Sequence, residues 1–413
     1  MERKGWITKF TALRFFLGGI EIYIVAPTAW YYIRSLGQTK FFLALVFTAY
    51  NIGAIIAGPL FGFLTDRFGN PRFMFTSCCA IKVIASMIYS VNLSAYFPLF
   101  GRLMTGLSGD IAILLGQVAL QTDEKYRAAS FVFLEGLYCL GAVFGPTIGG
   151  FITFRANLFG WEIDEGNSPG IVLAILYLFF LIASLLLPKE IWVQSKTQSK
   201  TQSSIASDVD YEDDASLLDY QDENQTFEAQ IPNQKLNNLL DSRVLCLFFL
   251  IFSSEVFSST ATFYAPILAL DHFYLKEIHV KLLFLNCTLF TLLLFFCLHL
   301  VSKYVEERNL FSFALFMEII AMLFLALLAF SWNQVTDVQW YFVLLYICLG
   351  MPYFANPFGN SILSKITDPK NATLVQGISL ATVHTAIASC RVAVSFAFTK
   401  ASLICYCFGM VIL

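Results

Sequence analysis

Charge is what this sequence lacks. Asp, Glu, Lys and Arg make up 13% of its 413 residues, about half the share of a soluble domain. So few charges cannot cover a surface that faces water, which excludes an ordinary soluble globular protein. Net charge is −3, so no global positive field exists to hold nucleic acid, and no nucleic-acid partner is expected. None of the ten cysteines forms a CxxC pair. They lie almost wholly inside apolar runs, where Cys packs as a small hydrophobe. HExxH, a Ser-His-Asp context and a Gly-rich cofactor loop are also missing, so neither an enzyme nor a cofactor or metal site is expected. The first apolar run begins near Thr8 and continues past residue 25, which is longer than the core of a cleaved signal peptide.

What is abundant is apolar. Hydrophobic residues make up 57% of the chain, and Phe alone contributes 43. A bilayer core of about 30 Å needs roughly 20 apolar residues per helix. Eleven full-length candidates follow, near 8–32, 40–64, 73–92, 96–119, 128–153, 169–187, 243–269, 280–301, 309–331, 340–364 and 373–397, with a short twelfth from 401. Trp6, Trp30, Trp192, Trp332 and Trp340 sit at span ends, where indoles favour the headgroup level. With the N-terminus inside, inner segments hold sixteen Lys and Arg against six outside, which sets the orientation.

The stretch 188–241 is of another kind. It is acidic and polar ("SDVDYEDDASLLDYQDENQ") and cannot bury a core, so a disordered cytosolic linker is expected there. It divides the chain into an N-terminal six-helix bundle, 1–187, and a C-terminal bundle, 242–413. "LTDRFGNPR" after span 2 and "LVSKYVEER" after span 8 form a faint repeat. Arg67 falls on Lys303 and Arg72 on Arg308, while Asp66 and Gly69 have no counterpart in the second copy.

Three motifs stand in the first half. Gly62, Asp66, Arg67, Gly69 and Arg72 follow a G-x-x-x-D-R-x-G pattern between spans 2 and 3. Gly62 admits a neighbouring helix, Asp66 can cap an opposing helix N-terminus or pair with a cation, and Gly69 permits a tight turn, as a gate requires. A plain basic loop with a turn is the simpler reading. In span 5, Gly141, Gly145 and Gly149 recur every four residues beside Pro146 and Gly150, a small-residue face for close helix contact. In span 4, Arg102, Gly106 and Asp110 are four apart and would share one helix face. Charges inside a membrane helix usually meet a water cavity or a partner.

Together these motifs resemble the major facilitator superfamily across nearly the whole chain. The resemblance implies an all-α membrane protein of two six-helix bundles that transports a small molecule or ion. "FSSEVFSSTATFYAPI", "GLSGDIAI", "LGMPYFANPFGNSILSKI" and "SCRVAV" look like the domain-containing protein 8 branch of that superfamily. That branch is lysosomal and associated with chloride conductance. Val394 and Ser395 depart from it where it has Gly-Pro. In this fold spans 1, 4, 7 and 10 line the pathway, which nominates Glu21, Arg102, Asp110 and Glu255, with Arg391 as a further cation. Carboxylates facing such a cavity suit proton coupling, and the arginines suit an anion. Arg14, Glu135 and Glu318 are expected nearer the cytosol, Lys82 at the periphery, and His384 as a packed, hydrogen-bonded side chain.

Asp213 four residues before Leu217 and Leu218 fits an acidic dileucine sorting signal read by a cytosolic adaptor. The readings left open are an endolysosomal carrier or conductance for a small anion, a proton-coupled drug or metabolite exporter at the plasma membrane, and a scaffold without transport. Membrane lipid is a partner in all three.

Overall fold

The computed structural model describes residues 4–152, 154–158, 161–193, 241–267, 277–330, 337–350 and 354–395. Asp213, Leu217 and Leu218, the rest of the 194–240 stretch and the short twelfth span lie outside the described residues. The first half contains α1 (Lys4–Tyr23), α2 (Ala26–Ser35), α3 (Lys40–Phe68), α4 (Pro71–Tyr89), α5 (Tyr96–Gly106), α6 (Asp110–Gln121), α7 (Glu124–Phe151) and α8 (Ser168–Leu186). The second contains α9 (Ser242–Ile267), α10 (Glu277–Val301), α11 (Glu307–Phe330), α12 (Asp337–Gly350), α13 (Ala355–Ile366) and α14 (Ala372–Ser395).

Among the described residues, eight spans are long and apolar enough to cross a membrane, or nine if the bent pair α1–α2 counts as one. The sequence candidates near 280–301 and 340–364 correspond to α10 and to the α12–α13 pair. In α10 the described apolar stretch shortens to Leu285–Val301. An antiparallel hairpin, β1 (Ala156–Leu158) with β2 (Trp161–Ile163), joins α7 to α8, an element that the helical periodicity did not predict.

Local chemistry sets the boundaries that matter for the site. Thr39 caps α3 by accepting from the Phe42 N–H at 3.4 Å. Gly69 ends α3 at φ 66°, a left-handed conformation that a Cβ would strain. Asn70 then caps α4 by accepting from the Phe73 N–H at 3.2 Å, with Pro71 preset for the first turn. Span 4 is broken. α5 ends at Gly106, α6 starts at Asp110, and residues 107–109 are non-helical.

Each half has its own core. Phe75, Cys78, Ile113 and Tyr177 pack in the first, and Leu325, Val343, Ile347 and Cys390 in the second. A third cluster joins the halves, with Ala128, Val132 and Cys139 of α7 against Phe295, Phe311, Phe354 and Phe358. Large apolar side chains such as Phe41, 72% exposed, and Phe296, 61% exposed, cover the outside. Lipid is the solvent that makes such exposure free of cost.

Candidate functional site

Four charges meet inside the first bundle. Arg14 Nε donates to Asp110 Oδ2 at 2.6 Å, and Arg14 Nη2 to Glu21 Oε2 at 3.3 Å. Lys82 Nζ reaches Glu21 Oε2 at 3.0 Å and Asp110 Oδ1 at 3.2 Å. These four side chains are at most 1% exposed. The Tyr177 hydroxyl also donates to Glu21, and its ring lies 5.2 Å from the Arg14 guanidinium and 4.9 Å from the Lys82 ammonium. Two cations and two carboxylates thus neutralise one another in a closed cluster. Ser108 Oγ adds a 3.4 Å contact to Asp110, which sits in the first turn of α6, where the helix dipole favours a carboxylate.

This placement corrects the pathway assignment of Glu21 and Asp110. They do not line the central cavity; they are spent on Arg14 and Lys82. The physical reason is the break at 107–109. A continuous helix would put Arg102 and Asp110 on one face, but the break turns Asp110 toward α1 and α4 and leaves Arg102 facing the gap between the halves. Lys82 is a central member of the cluster rather than a peripheral side chain.

That gap is a cavity of about 290 Å³. From the first half Tyr50, Asn51, Arg102, Glu135 and Tyr138 reach it; from the second come Glu255, Ser259, Asn356, Asn360 and His384. Arg102 is 3% exposed, stacks over the Tyr50 ring at 5.0 Å, and its buried Nε has no hydrogen-bond partner among the described residues. Glu255 Oε1 accepts from Ser259 Oγ at 3.2 Å. Glu135 Oε1 accepts from Asn356 Nδ2 at 3.4 Å, across the two halves. His384 Nδ1 lies 3.0 Å from Asn51 Oδ1, a second cross-bundle hydrogen bond. Glu135 and His384 both line the cavity, and His384 is at the same time packed and hydrogen-bonded, as expected; hydropathy gives depth along a helix without the direction a side chain takes. Glu318 lies off the lining, accepting from Ser254 Oγ at 2.6 Å. Arg391 is in α14, and its side chain lies outside the described residues.

The 62–72 motif sits where the halves touch. Asp66 Oδ2 accepts from the Leu374 N–H at 2.7 Å, in the first turn of α14. A Cβ on Gly62 would stand 2.7 Å from the Thr373 carbonyl oxygen and 2.8 Å from Leu374 Cα, so the approach of α3 to α14 needs glycine. Arg72 donates to the Ser184 carbonyl at 3.0 Å and to the Leu185 carbonyl, closing the end of α8. Arg67 is exposed and lies 5.8 Å from the Phe63 ring. On the same side Arg127 Nη1 donates to the Ser364 carbonyl at 3.2 Å. Within the first half, Gly141 and Gly145 of α7 meet the α1 backbone at Phe16 and Ile20, and Gly149 meets the backbone of Ile24 just after α1. Pro146 and Gly150 lie in α7, and nothing of their surroundings is described.

Two helical halves, a polar cavity between them and a contact between α3 and α14 closing one side define a transporter architecture. Residues 11–389 match the Major Facilitator Superfamily, and the chain belongs to that family. It is similar to major facilitator superfamily domain-containing protein 8 of Xenopus laevis, 26% identical over 154 residues that cover 35% of this chain and 30% of that protein. It is also similar to the multi-drug resistance efflux pump PmrA of Streptococcus pneumoniae, 28% identical over 151 residues, 35% of this chain and 37% of the pump. The matches thus span about a third of each relative. Among solved structures, the fold is similar to the proton:xylose symporter XylE (TM-score 0.67, 16% identity, 100% of this chain and 94% of that one). It is likewise similar to the human organic anion transporter MFSD10 (TM-score 0.60, 16% identity, 99% and 96%). At these identities the structures show the fold alone. The chain is a multi-pass membrane protein of the facilitator type.

Proposed function

We propose that this chain moves a small anionic solute across an endolysosomal membrane, with Arg102 as the anion contact. The observation that carries this reading is the contrast between cations. Arg14 and Lys82 are neutralised by carboxylates, whereas Arg102 lines the cavity with no ion pair to a carboxylate among the described residues. A buried charge left unpaired is costly, and an anion in the cavity would offset that cost. At about 290 Å³ the cavity lies just below the usual range of ligand sites, about 300–1,000 Å³, which suits a small solute. A chloride conductance through the same cavity is the narrowest form of the proposal.

Glu135 and Glu255 border the same space, and a carboxylate pair would repel an anion unless protons screen it. This favours proton coupling, and with it the second reading: a proton-coupled drug or metabolite exporter at the plasma membrane. Similarity to PmrA, an efflux pump, supports that reading, and similarity to domain-containing protein 8 supports the first. Arg391 is proposed as a second cation of the pathway, and the Asp66 contact as the gate on the side predicted to be cytosolic. The 188–241 linker is proposed to present Asp213, Leu217 and Leu218 to a sorting adaptor.

A flux screen in proteoliposomes tests the solute class: chloride, organic anions, amino acids and cationic drugs, each with and without a proton gradient. Anion flux supports the proposal, and drug flux against protons replaces it with the exporter. No flux of any solute would favour a scaffold. Fluorescence localisation with Leu217 and Leu218 intact or changed to Ala tests the membrane. A surface signal indifferent to that change would overturn the endolysosomal placement.

A further inference from the structure

A second cavity, of about 440 Å³, lies where α7 meets the α10–α11 turn and the end of α13. Its lining includes Lys125, Lys303, Arg308 and Lys365, with Glu306 and Glu307 as its carboxylates. One pair is internal: Lys365 Nζ lies 2.8 Å from Glu307 Oε1, and Glu307 Oε2 also accepts from Ser361 Oγ at 2.8 Å. That leaves Lys125, Lys303 and Arg308 facing Glu306 alone, with no ion pair to any of these three cations among the described residues. All three are exposed. Ser302 Oγ is used locally, donating to the His299 carbonyl at 3.0 Å.

The repeat between the halves sharpens the point. Arg72 in the first copy is spent on the carbonyls that end α8. Its counterpart Arg308 has no such partner among the described residues and stands at the start of α11. The rim is apolar: Leu300, Val301, Tyr304 and Val305 are all exposed, Tyr304 by 89%. A cationic hollow with an apolar rim, directly after the last turn of an apolar helix, matches the headgroup level of a bilayer.

We propose that this hollow binds terminal phosphate groups of more than one negative charge, either those of a lipid headgroup or those of a soluble polyphosphate. Lys125 belongs to the first half and Lys303, Arg308 and Lys365 to the second, so one occupant spans both halves. It sits on the same side as the Arg127–Ser364 contact. An occupant that spans the halves binds best when they are together, and by linkage it stabilises that arrangement. The site is therefore regulatory and separate from the solute cavity. It does not depend on which solute is carried.

The test is equilibrium titration of the full chain in nanodiscs with short-chain phosphatidylinositol bisphosphate in one arm and inorganic pyrophosphate in the other. Each cation near such a surface contributes about 1 kcal/mol, a fivefold change in affinity. The triple variant K125Q/K303Q/R308Q is expected to bind about a hundredfold more weakly. E306Q removes the opposing carboxylate and is expected to bind severalfold more tightly. Tighter binding of the inositol lipid than of pyrophosphate assigns the lipid as source; equal binding, equally lost in the triple variant, assigns the soluble phosphate. Affinities that do not differ among the parent, the triple variant and E306Q would overturn the site, as would no binding in either arm.

Discussion

Removing one charge from the buried cluster is expected to be far more damaging than removing two. In Lys82→Met, Glu21 loses its 3.1 and 3.0 Å ammonium contacts and Asp110 loses its 3.2 Å contact, while both carboxylates stay out of water. Breaking a buried ion pair from one side costs about 3–5 kcal/mol, because it leaves an uncompensated charge. Glu21→Gln alone leaves the mirror problem, a cluster with one cation too many. The double variant K82M/E21Q restores neutrality and keeps the 2.6 Å Arg14–Asp110 contact. Replacing a whole buried pair is often neutral, so the double variant is expected within about 1 kcal/mol of the parent. The coupling energy between the two positions would then be several kcal/mol, beyond the 0.5–3 kcal/mol usual for about any contacting pair. The assay is reversible unfolding in mixed micelles, followed by Trp fluorescence for parent, both singles and the double. If K82M costs under about 1 kcal/mol, or the double loses as much as the two singles added, the closed-cluster account is wrong.

Two further predictions concern transport. Asp66→Ala removes the acceptor of the Leu374 N–H, a cap worth about 0.5–2 kcal/mol, and should raise the population with the halves apart on that side by about two- to thirtyfold. Spin-label distances between the halves read this, and unchanged distances would refute the gate. Glu255→Gln keeps an acceptor for Ser259 Oγ but removes the titratable group; solute flux should continue while its response to a proton gradient falls away. A gradient response equal to the parent's would remove Glu255 from coupling.

Much of this protein was legible before any coordinates. Apolar runs, Trp positions and the charge-poor composition define helices in lipid, because a bilayer imposes one length and one backbone solution. Gly62 and Asp66 could be read as a helix contact because a glycine admits a close neighbour and a carboxylate suits a helix N-terminus, although a cation partner for Asp66 fitted the sequence equally. What could not be read was which way a charge points. Arg102 and Asp110 share a face only if span 4 is unbroken, and nothing in "GLSGD" states that residues 107–109 leave the helix. The pairing of Lys82 with Glu21 joins residues 61 apart, and that of Arg14 with Asp110 joins residues 96 apart. Such partners are fixed by tertiary packing rather than by spacing. His384 is packed and hydrogen-bonded as expected, but its partner Asn51 comes from the other half, which no spacing states.

The central claim, that a small anion meets Arg102 in the cavity between the halves, is tested most directly by uptake of the screened anion into proteoliposomes carrying the parent, R102K or R102Q. Truncating one side of a desolvated charge contact costs 2 kcal/mol or more, so uptake by R102Q should fall by at least about thirtyfold at subsaturating anion. R102K keeps the charge without the fork and should fall between the two. Uptake by R102Q equal to that of the parent would contradict the account.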